Sequence, residues 1–141
     1  MGVTRPVMRT GRKFGQVLEG ARKVFLAEGY EGANVDEIAR AAGVSKATLY
    51  SYFPDKRLLF MEVAQSECRN QAEAARQLVQ PDLPPREVLL VGARQIVQFF
   101  NSPISLSIFR LCAAEADRFP DLGREFYRSG PMVARNMLAD Y

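Results

Sequence analysis

Residues 34–53, NVDEIARAAGVSKATLYSYF, decide the fold of this chain. Apolar side chains recur there at three- and four-residue spacing, stop at Gly43, and recur again after it, which is typical of two short helices. Asn34 and Ser45 are good N-cap residues, and each precedes one of these helices. Gly43 can take the positive φ that a tight turn between helices requires. The stretch therefore predicts a helix-turn-helix.

The free side of the second helix carries side chains that suit DNA. At about 100° per residue, Leu49 and Phe53 share the side that packs inward. The outward side consists of small residues, hydroxyls and one aromatic ring, with a lysine at the helix start: Lys46, Ala47, Thr48, Tyr50 and Ser51. No acidic residue occurs from 45 to 54, where a carboxylate would repel phosphates. This pattern favours a helix that enters the major groove.

Basic residues are concentrated in the N-terminal part of the chain. The net charge is +3, and residues 1–60 hold ten basic and six acidic side chains, against nine and ten in residues 61–141. A basic end beside a neutral remainder indicates a polyanionic partner. We predict a flexible basic arm at residues 1–10. The cluster Arg5, Arg9, Arg12 and Lys13 could reach the minor groove or could be a solvated tail, and the pattern leaves both open.

The composition argues against catalysis and metal binding. Histidine is absent, which removes the commonest general base and the imidazole ligands. Cys68 and Cys112 are far apart and lack metal-ligand spacing. We therefore predict no enzyme activity, no cofactor and no metal. The longest uncharged run, residues 95–109, is too short to span a membrane, and no apolar signal segment follows the basic N-terminus. We expect a cytoplasmic protein without a membrane partner.

The remaining sequence is also helical in pattern. Apolar residues keep the three- and four-residue spacing of helices, and no useful alternation typical of strands occurs. Prolines at 81, 84 and 85 mark a break between two long helices. The predicted helices, apart from the central pair, span residues 10–28, 56–80, 86–101, 103–118, 122–129 and 132–141. The predicted fold class is all-α.

Residues 29–60, GYEGANVDEIARAAGVSKATLYSYFPDKRLLF, resemble the DNA-binding domain of the TetR/AcrR family of bacterial transcriptional regulators. The segments that carry the likeness are 29–30, 35–39, 42–50 and 52–56. Residues 103–137 resemble, less sharply, the regulatory domains of the AefR-like subgroup. The resemblance implies a three-helix DNA-binding domain at 11–71 and a helical ligand-binding and dimerisation domain at 72–141. Because the family's chains are longer, we expect the second domain to be truncated, and so incomplete at its C-terminus.

The resemblance also implies which residues bind DNA. The expected contacts are Asn34, Val35, Ser45, Lys46, Ala47, Thr48, Tyr50, Ser51, Tyr52 and Lys56. Of these, Asn34 and Lys56 would clamp phosphates at helix N-termini. Two positions depart from the family: Asn34 stands where threonine is usual, and Ser51 stands where histidine is frequent. Asn34 keeps the capping role, whereas Ser51 leaves the base preference open.

The function implied by the resemblance is that of a repressor. A homodimer would bind double-stranded operator DNA, and a small apolar inducer would release it. Candidate pocket residues are Phe60, Phe99, Phe100, Phe109 and Phe126, although aromatic residues at helical spacing more often form core. Two alternatives are a small helical ligand carrier or enzyme and an architectural or protein-interaction module on the same scaffold. A regulator should discriminate operator from random DNA by orders of magnitude, whereas an architectural protein should not.

Overall fold

The computed structural model describes residues 11–78, 82–115 and 117–140. These residues form eight α-helices and no strand, which confirms the predicted all-α fold. The helices are α1 Arg12–Gly32, α2 Val35–Ala42, α3 Lys46–Tyr52, α4 Lys56–Leu78, α5 Pro85–Phe100, α6 Pro103–Glu115, α7 Pro120–Ser129 and α8 Pro131–Asp140. The predicted arm at 1–10 lies outside the described residues, as does the predicted end of the fourth helix at residue 80.

Helix α1 bends at Gly29, where the sequence predicts that the first helix ends. Gly29 has φ 72° and ψ 177°, a backbone conformation that glycine tolerates far better than other residues. The chain then makes one further short helical turn to Gly32, and the N–H of Ala33 donates to the Gly29 carbonyl at 3.1 Å. The predicted stop is therefore a kink, because helical hydrogen bonding resumes beyond the glycine.

The helices form two units, and the division falls after Val63, within α4. The first unit contains α1, α2, α3 and the start of α4. Its largest fully buried side chains are Val17, Ile38, Leu49, Phe53, Leu59, Phe60 and Val63. The second unit contains the rest of α4 and α5 to α8. Its buried apolar side chains include Val88, Ile104, Ile108 and Leu111.

Small residues let α1 and α2 pack closely. Gly20 of α1 is buried, and a Cβ atom built on it would lie 2.6 Å from the backbone nitrogen of Ala42. Real Cβ atoms do not approach a backbone atom that closely, so the crossing needs a residue without a side chain at this position. Gly20 thus sets the distance between α1 and the end of α2.

Aromatic rings join α4 and α3 to α1. The Phe60 ring meets the Phe25 ring edge to face at a centroid distance of 4.9 Å, and it lies 5.1 Å from the Tyr30 ring. The Phe14 ring stacks on that of Phe53 at 5.7 Å. Such pairs add packing energy beyond the area that they bury. They fix the side of α3 that faces inward.

A helix that spans a membrane needs a minimum length and hydropathy. Among the described helices, none is by itself long and apolar enough to cross a membrane. Helices α5 and α6 meet that criterion only when taken together, across a bend of 64°.

Candidate nucleic-acid interface

Side-chain and glycine caps fix both helices of the helix-turn-helix. Asn34 Oδ1 accepts a hydrogen bond from the Asp36 N–H at 2.8 Å, which satisfies one of the unpaired amides at the start of α2. Gly43 takes φ 67° and ψ 31° and ends α2. Ser45 Oγ then accepts from the Thr48 N–H at 3.1 Å and begins α3. The capping roles predicted for Asn34 and Ser45 and the turn predicted at Gly43 are confirmed.

Helix α3 presents the predicted side to solvent. Leu49 and the following Phe53 are each only 1% exposed, so this side of the helix belongs to the core. Ala47 and Ser51 are exposed, and Tyr50 is 43% exposed. The helical wheel therefore predicted the inward side and most of the outward side correctly, whereas Thr48, predicted to face outward, is half-buried. A free surface of small and hydroxyl-bearing residues can approach a groove without steric obstruction.

The hydroxyl groups of α3 already bond to one another and to the backbone. Ser45 Oγ donates to Thr48 Oγ1 at 2.9 Å, and Ser51 Oγ donates to the Thr48 carbonyl at 2.6 Å. Thr48 is itself half-buried. A hydroxyl that accepts from one neighbour can still donate to a phosphate or a base edge. The three hydroxyl groups therefore hold this side of α3 in a fixed arrangement.

Lys46, at the start of α3, pairs with a carboxylate of α2. Its Nζ lies 2.9 Å from Asp36 Oδ1, and the two side chains are 52% and 56% exposed. The hydrogen bond to Asp36 and the charge of the same carboxylate raise the pKa of Lys46 above its ordinary value. The lysine is therefore fully charged at neutral pH, but the carboxylate of Asp36 partly compensates its charge.

Lys56, at the start of α4, is bound to the protein itself. Its ammonium donates to the carbonyls of Tyr30 at 2.9 Å and Ala33 at 3.2 Å. It also lies 4.5 Å from the centre of the Tyr30 ring. A cation at a helix C-terminus that bonds the last carbonyls stabilises that end. The structure thus gives Lys56 an internal role, and the phosphate contact that the resemblance implies stays a prediction.

Asp55 caps α4 and binds the side chain of Arg57. Its Oδ1 accepts from the Arg57 N–H at 2.8 Å, and both carboxylate oxygens accept from the guanidinium. The hydrogen bonds from Arg57 hold the pKa of Asp55 below its ordinary value. This pair fixes the turn that joins α3 to α4.

Two further predicted DNA contacts are only partly accessible. Val35 is half-buried in the first turn of α2. Tyr52 is half-buried, and its ring lies 6.0 Å from that of Phe14 in an edge-to-face arrangement. Tyr52 therefore packs against α1 as well as bordering the outward side of α3.

A cavity of about 640 Å³ lies within the second unit. The second part of α4, together with α5 and α8, lines it, and most of the lining is apolar; the residues include Cys68, Ala72, Ala75, Val88, Ile96, Phe99, Phe100, Met137 and Leu138. Arg76 and Arg135 also contribute. The volume falls in the range of small-molecule sites, about 300–1,000 Å³.

Two of the five predicted pocket phenylalanines line this cavity, namely Phe99 and Phe100. Phe60 instead lies in the core of the first unit, fully buried between rings of α1. Phe109 is 68% exposed on α6 and does not line the cavity. Phe126 of α7 does not line it either; its ring lies 4.0 Å from a Cβ built on Gly130. Helical spacing cannot tell a core ring from a cavity ring, because both face inward.

Neither cysteine is poised for thiol chemistry. Burial raises the pKa of Cys68 to about 11, and burial also raises that of Cys112. Both thiols are therefore protonated at neutral pH, and a thiol is a poor nucleophile and metal ligand. No three His, Cys, Asp or Glu side chains converge on a common point within the described ranges.

Sequence reasoning missed Asp36 as a member of this surface. It treated α3 as free of acidic neighbours, because no acid occurs from 45 to 54. Asp36 lies ten positions before Lys46 in sequence, and the tight turn at Gly43 brings the two together. The only sequence signal for this contact is that Asp36 lies in the first turn of α2. An acid there is equally typical of a residue that interacts with the helix dipole.

Two family profiles match this chain. Residues 17–63 match the bacterial regulatory proteins of the tetR family, and residues 87–141 match the C-terminal domain of AefR-like transcriptional repressors. The first match covers the helix-turn-helix and the start of α4. The second begins within α5.

Known proteins similar to the chain are regulators. The chain is 36% identical over 87 residues to the HTH-type transcriptional activator FasR of Mycolicibacterium smegmatis, across 62% of this chain and 40% of the activator. A crystal structure of a TetR-family regulator from Mesorhizobium loti superposes with a TM-score of 0.69 at 32% identity, across 87% of this chain and 62% of that chain. The structure of the flavonoid-responsive regulator FrrA superposes with a TM-score of 0.57 at 38% identity, across 93% of this chain and 66% of that chain.

The matched length is less than two thirds of each of these relatives. The names describe transcriptional regulators and not enzymes, as the sequence predicted. Both profiles describe transcriptional regulators, and together they cover most of the chain. This chain belongs to the TetR family of bacterial regulatory proteins.

Proposed function

We propose that the chain binds operator DNA through α3 and represses transcription. The observation that carries this proposal is the exposed side of α3, where Lys46, Ala47, Tyr50 and Ser51 face solvent and Leu49 is buried. Lysine and hydroxyl side chains can reach base edges and phosphates in the major groove, and Ala47 allows close approach. The caps at Asn34 and Ser45 hold this surface in one geometry before DNA arrives.

The proposed partner is double-stranded DNA with two half-sites. Proteins with this motif bind as dimers, and their recognition helices contact half-sites about 34–36 Å apart. We therefore propose a homodimer acting on a palindromic operator. The AefR-like profile is that of repressors, which supports repression, whereas FasR is named an activator. Since the proposed partner is the bacterial chromosome, the cytoplasm is the proposed location.

The proposed signal is a small apolar ligand in the cavity of the second unit. The cavity has the volume of a small-molecule site, and its apolar lining favours an apolar ligand. FrrA is by name responsive to flavonoids, so flavonoids are a reasonable first class of probe. Helix α4 runs from Lys56 in the first unit to the cavity wall in the second. A ligand that binds more tightly to one position of α4 than to another would favour that position. It could change DNA affinity by no more than the ratio of its own affinities for the two positions.

Fluorescence anisotropy with labelled duplexes tests the proposed function. The unmodified chain is titrated against the DNA upstream of its coding sequence and against random duplexes of the same length. We expect the upstream DNA to bind at least about 1,000-fold more tightly. Equal affinity for both would favour an architectural protein, and no binding to either in low salt would favour a ligand carrier.

A further inference from the structure

We propose that Asp36 restrains the DNA-binding surface, because its carboxylate holds the ammonium of Lys46 and so weakens binding to DNA of any sequence. The role rests on the proposed function, since it requires that α3 face DNA. It makes Asp36 a specificity-determining residue that lies outside the recognition helix.

The geometry places a negative charge at the start of the recognition helix. Lys46 is the first residue of α3, and Asp36 belongs to the first turn of α2. Their charged atoms are 2.9 Å apart, and both side chains are about half exposed. The pair is therefore in contact with solvent on the side that DNA would approach. The side-chain caps of Asn34 and Ser45, which accept from the N–H groups of Asp36 and Thr48, fix the two helix starts, so the pairing does not depend on mobile loops.

A phosphate has to compete with this carboxylate for the ammonium. If the pair opens, its hydrogen bond and ion pairing are lost. If it stays closed, a carboxylate is brought near the phosphates and repels them. In both cases Lys46 contributes less to phosphate binding than a free lysine would. Sequence-independent binding to DNA is almost entirely electrostatic. The weaker phosphate contact of Lys46 therefore lowers the affinity for DNA of any sequence.

Specific binding is affected less. A lysine ammonium has three donors, so Lys46 can keep its bond to Asp36 while it donates to an acceptor on a base edge, such as the O6 or N7 of guanine. Specific complexes also draw binding energy from base contacts by other residues of α3. The restraint therefore increases the ratio of operator affinity to random-DNA affinity.

The test compares Asp36→Asn with Glu37→Gln in the full chain. Both substitutions remove one negative charge from the first turn of α2, and both acids are exposed, but only Asp36 bonds to Lys46. Asn34 caps the main-chain N–H of residue 36, so the N-cap remains in Asp36→Asn, and circular dichroism checks that both variants fold. The probes are a random duplex pool and the duplex that the unmodified chain enriches from that pool.

Asp36→Asn should tighten binding to the random pool by about three- to tenfold, and the slope of log affinity against log salt should steepen by about 0.9 between about 50 and 200 mM salt. Affinity for the enriched duplex should change by less than about twofold, so the specificity ratio falls. Glu37→Gln should change neither value by more than about twofold. In the Lys46→Ala background, Asp36→Asn should change the affinity for the random pool no more than Glu37→Gln does.

Two results would overturn the restraint while leaving DNA binding intact. One is an equal effect of Asp36→Asn and Glu37→Gln, which would mean that only total charge matters. The other is an Asp36→Asn effect that persists in the Lys46→Ala background. If instead the unmodified chain binds neither probe at the lowest salt, the proposed function fails, and the restraint fails with it.

Discussion

At Gly20 a single hydrogen atom, in place of a side chain, lets α2 pack against α1. The end of α2 carries the turn that leads to α3, so this crossing helps to orient the recognition helix. A methyl group there would meet the backbone nitrogen of Ala42 at 2.6 Å. Backbone atoms cannot move aside as a flexible side chain can.

Gly20→Ala should therefore destabilise the chain by about 1–3 kcal/mol, the cost of an overpacked contact. Gly15→Ala is the matched control on the same helix, because nothing lies within 4 Å of its added Cβ. That change should stabilise by about 0.5–1 kcal/mol, since alanine is the better helix former. Urea unfolding measures the change in the free energy of unfolding for both variants. Equal changes would contradict the close packing of α1 against α2 at Gly20.

The charge of Asp55 should make stability depend on pH. Its pKa is lowered by the hydrogen bonds from Arg57, so the unfolded state takes up a proton more readily than the folded state does. The stabilisation is therefore present above the ordinary pKa of an aspartate and is lost as the pH falls through the lowered value.

Asp55→Asn keeps an acceptor for the α4 cap and removes the charge. We expect a loss of up to about 1 kcal/mol at neutral pH, and a smaller loss at a pH low enough to protonate this carboxyl in the folded chain. Urea midpoints at the two pH values measure the difference. Asp121→Asn is the control, because that side chain is 92% exposed and should change neither midpoint. A loss from Asp55→Asn that is independent of pH would mean that the charge contributes nothing.

At the scale of the helices, Lys56 ties the start of α4 to the end of α1. Its ammonium bonds two carbonyls of the bent segment after Gly29 and lies over the Tyr30 ring. Hydrogen bonds from charged groups contribute more than neutral ones, and unpaired carbonyls that are partly shielded from water carry a cost.

Lys56→Met keeps the long side chain and removes the charge, and it should destabilise by about 1–3 kcal/mol. Lys23→Met removes the same charge from an exposed lysine of α1 that lies 3.8 Å from Glu19. That control should stay within about 0.5 kcal/mol. Thermal unfolding without DNA compares the two. If Lys56→Met were as stable as the control, the internal role of Lys56 would be wrong.

The helices were predictable because their signals are local. Cap residues and apolar spacing predicted α2 and α3 and the buried side of α3, since those signals lie within a few residues of their effect. The pairing of Lys46 with Asp36 and of Lys56 with the Tyr30 carbonyl was not predictable. Both depend on which helices meet in three dimensions, and spacing along one helix carries no information about that.

At the scale of the whole chain, the cavity of the second unit is the proposed ligand site. Phe99 and Phe100 were predictable there as inward aromatic residues, but the small residues that leave the space empty, such as Ala72 and Ala75, were not. An alanine in a helix carries no sign of whether a cavity lies beyond it.

Ala72→Leu should fill part of the cavity, whereas Ala74→Leu adds the same atoms to an exposed position of α4 that does not line it. With a panel of flavonoids as probes, we expect the rise in Tm caused by binding to disappear in Ala72→Leu and to persist in Ala74→Leu. DNA affinity without ligand should be the same in both. Retained ligand binding in Ala72→Leu would place the ligand elsewhere.

The most direct test of the central claim is the operator affinity of two variants on the exposed side of α3. Lys46→Ala and Tyr50→Ala should each weaken operator binding by about 5- to 150-fold, the effect of losing a contact worth about 1–3 kcal/mol. Arg94→Ala is the control, because it removes an exposed positive charge from α5 and should leave affinity within about twofold. If both α3 variants bind the operator as tightly as the unmodified chain, α3 is not the surface that reads DNA.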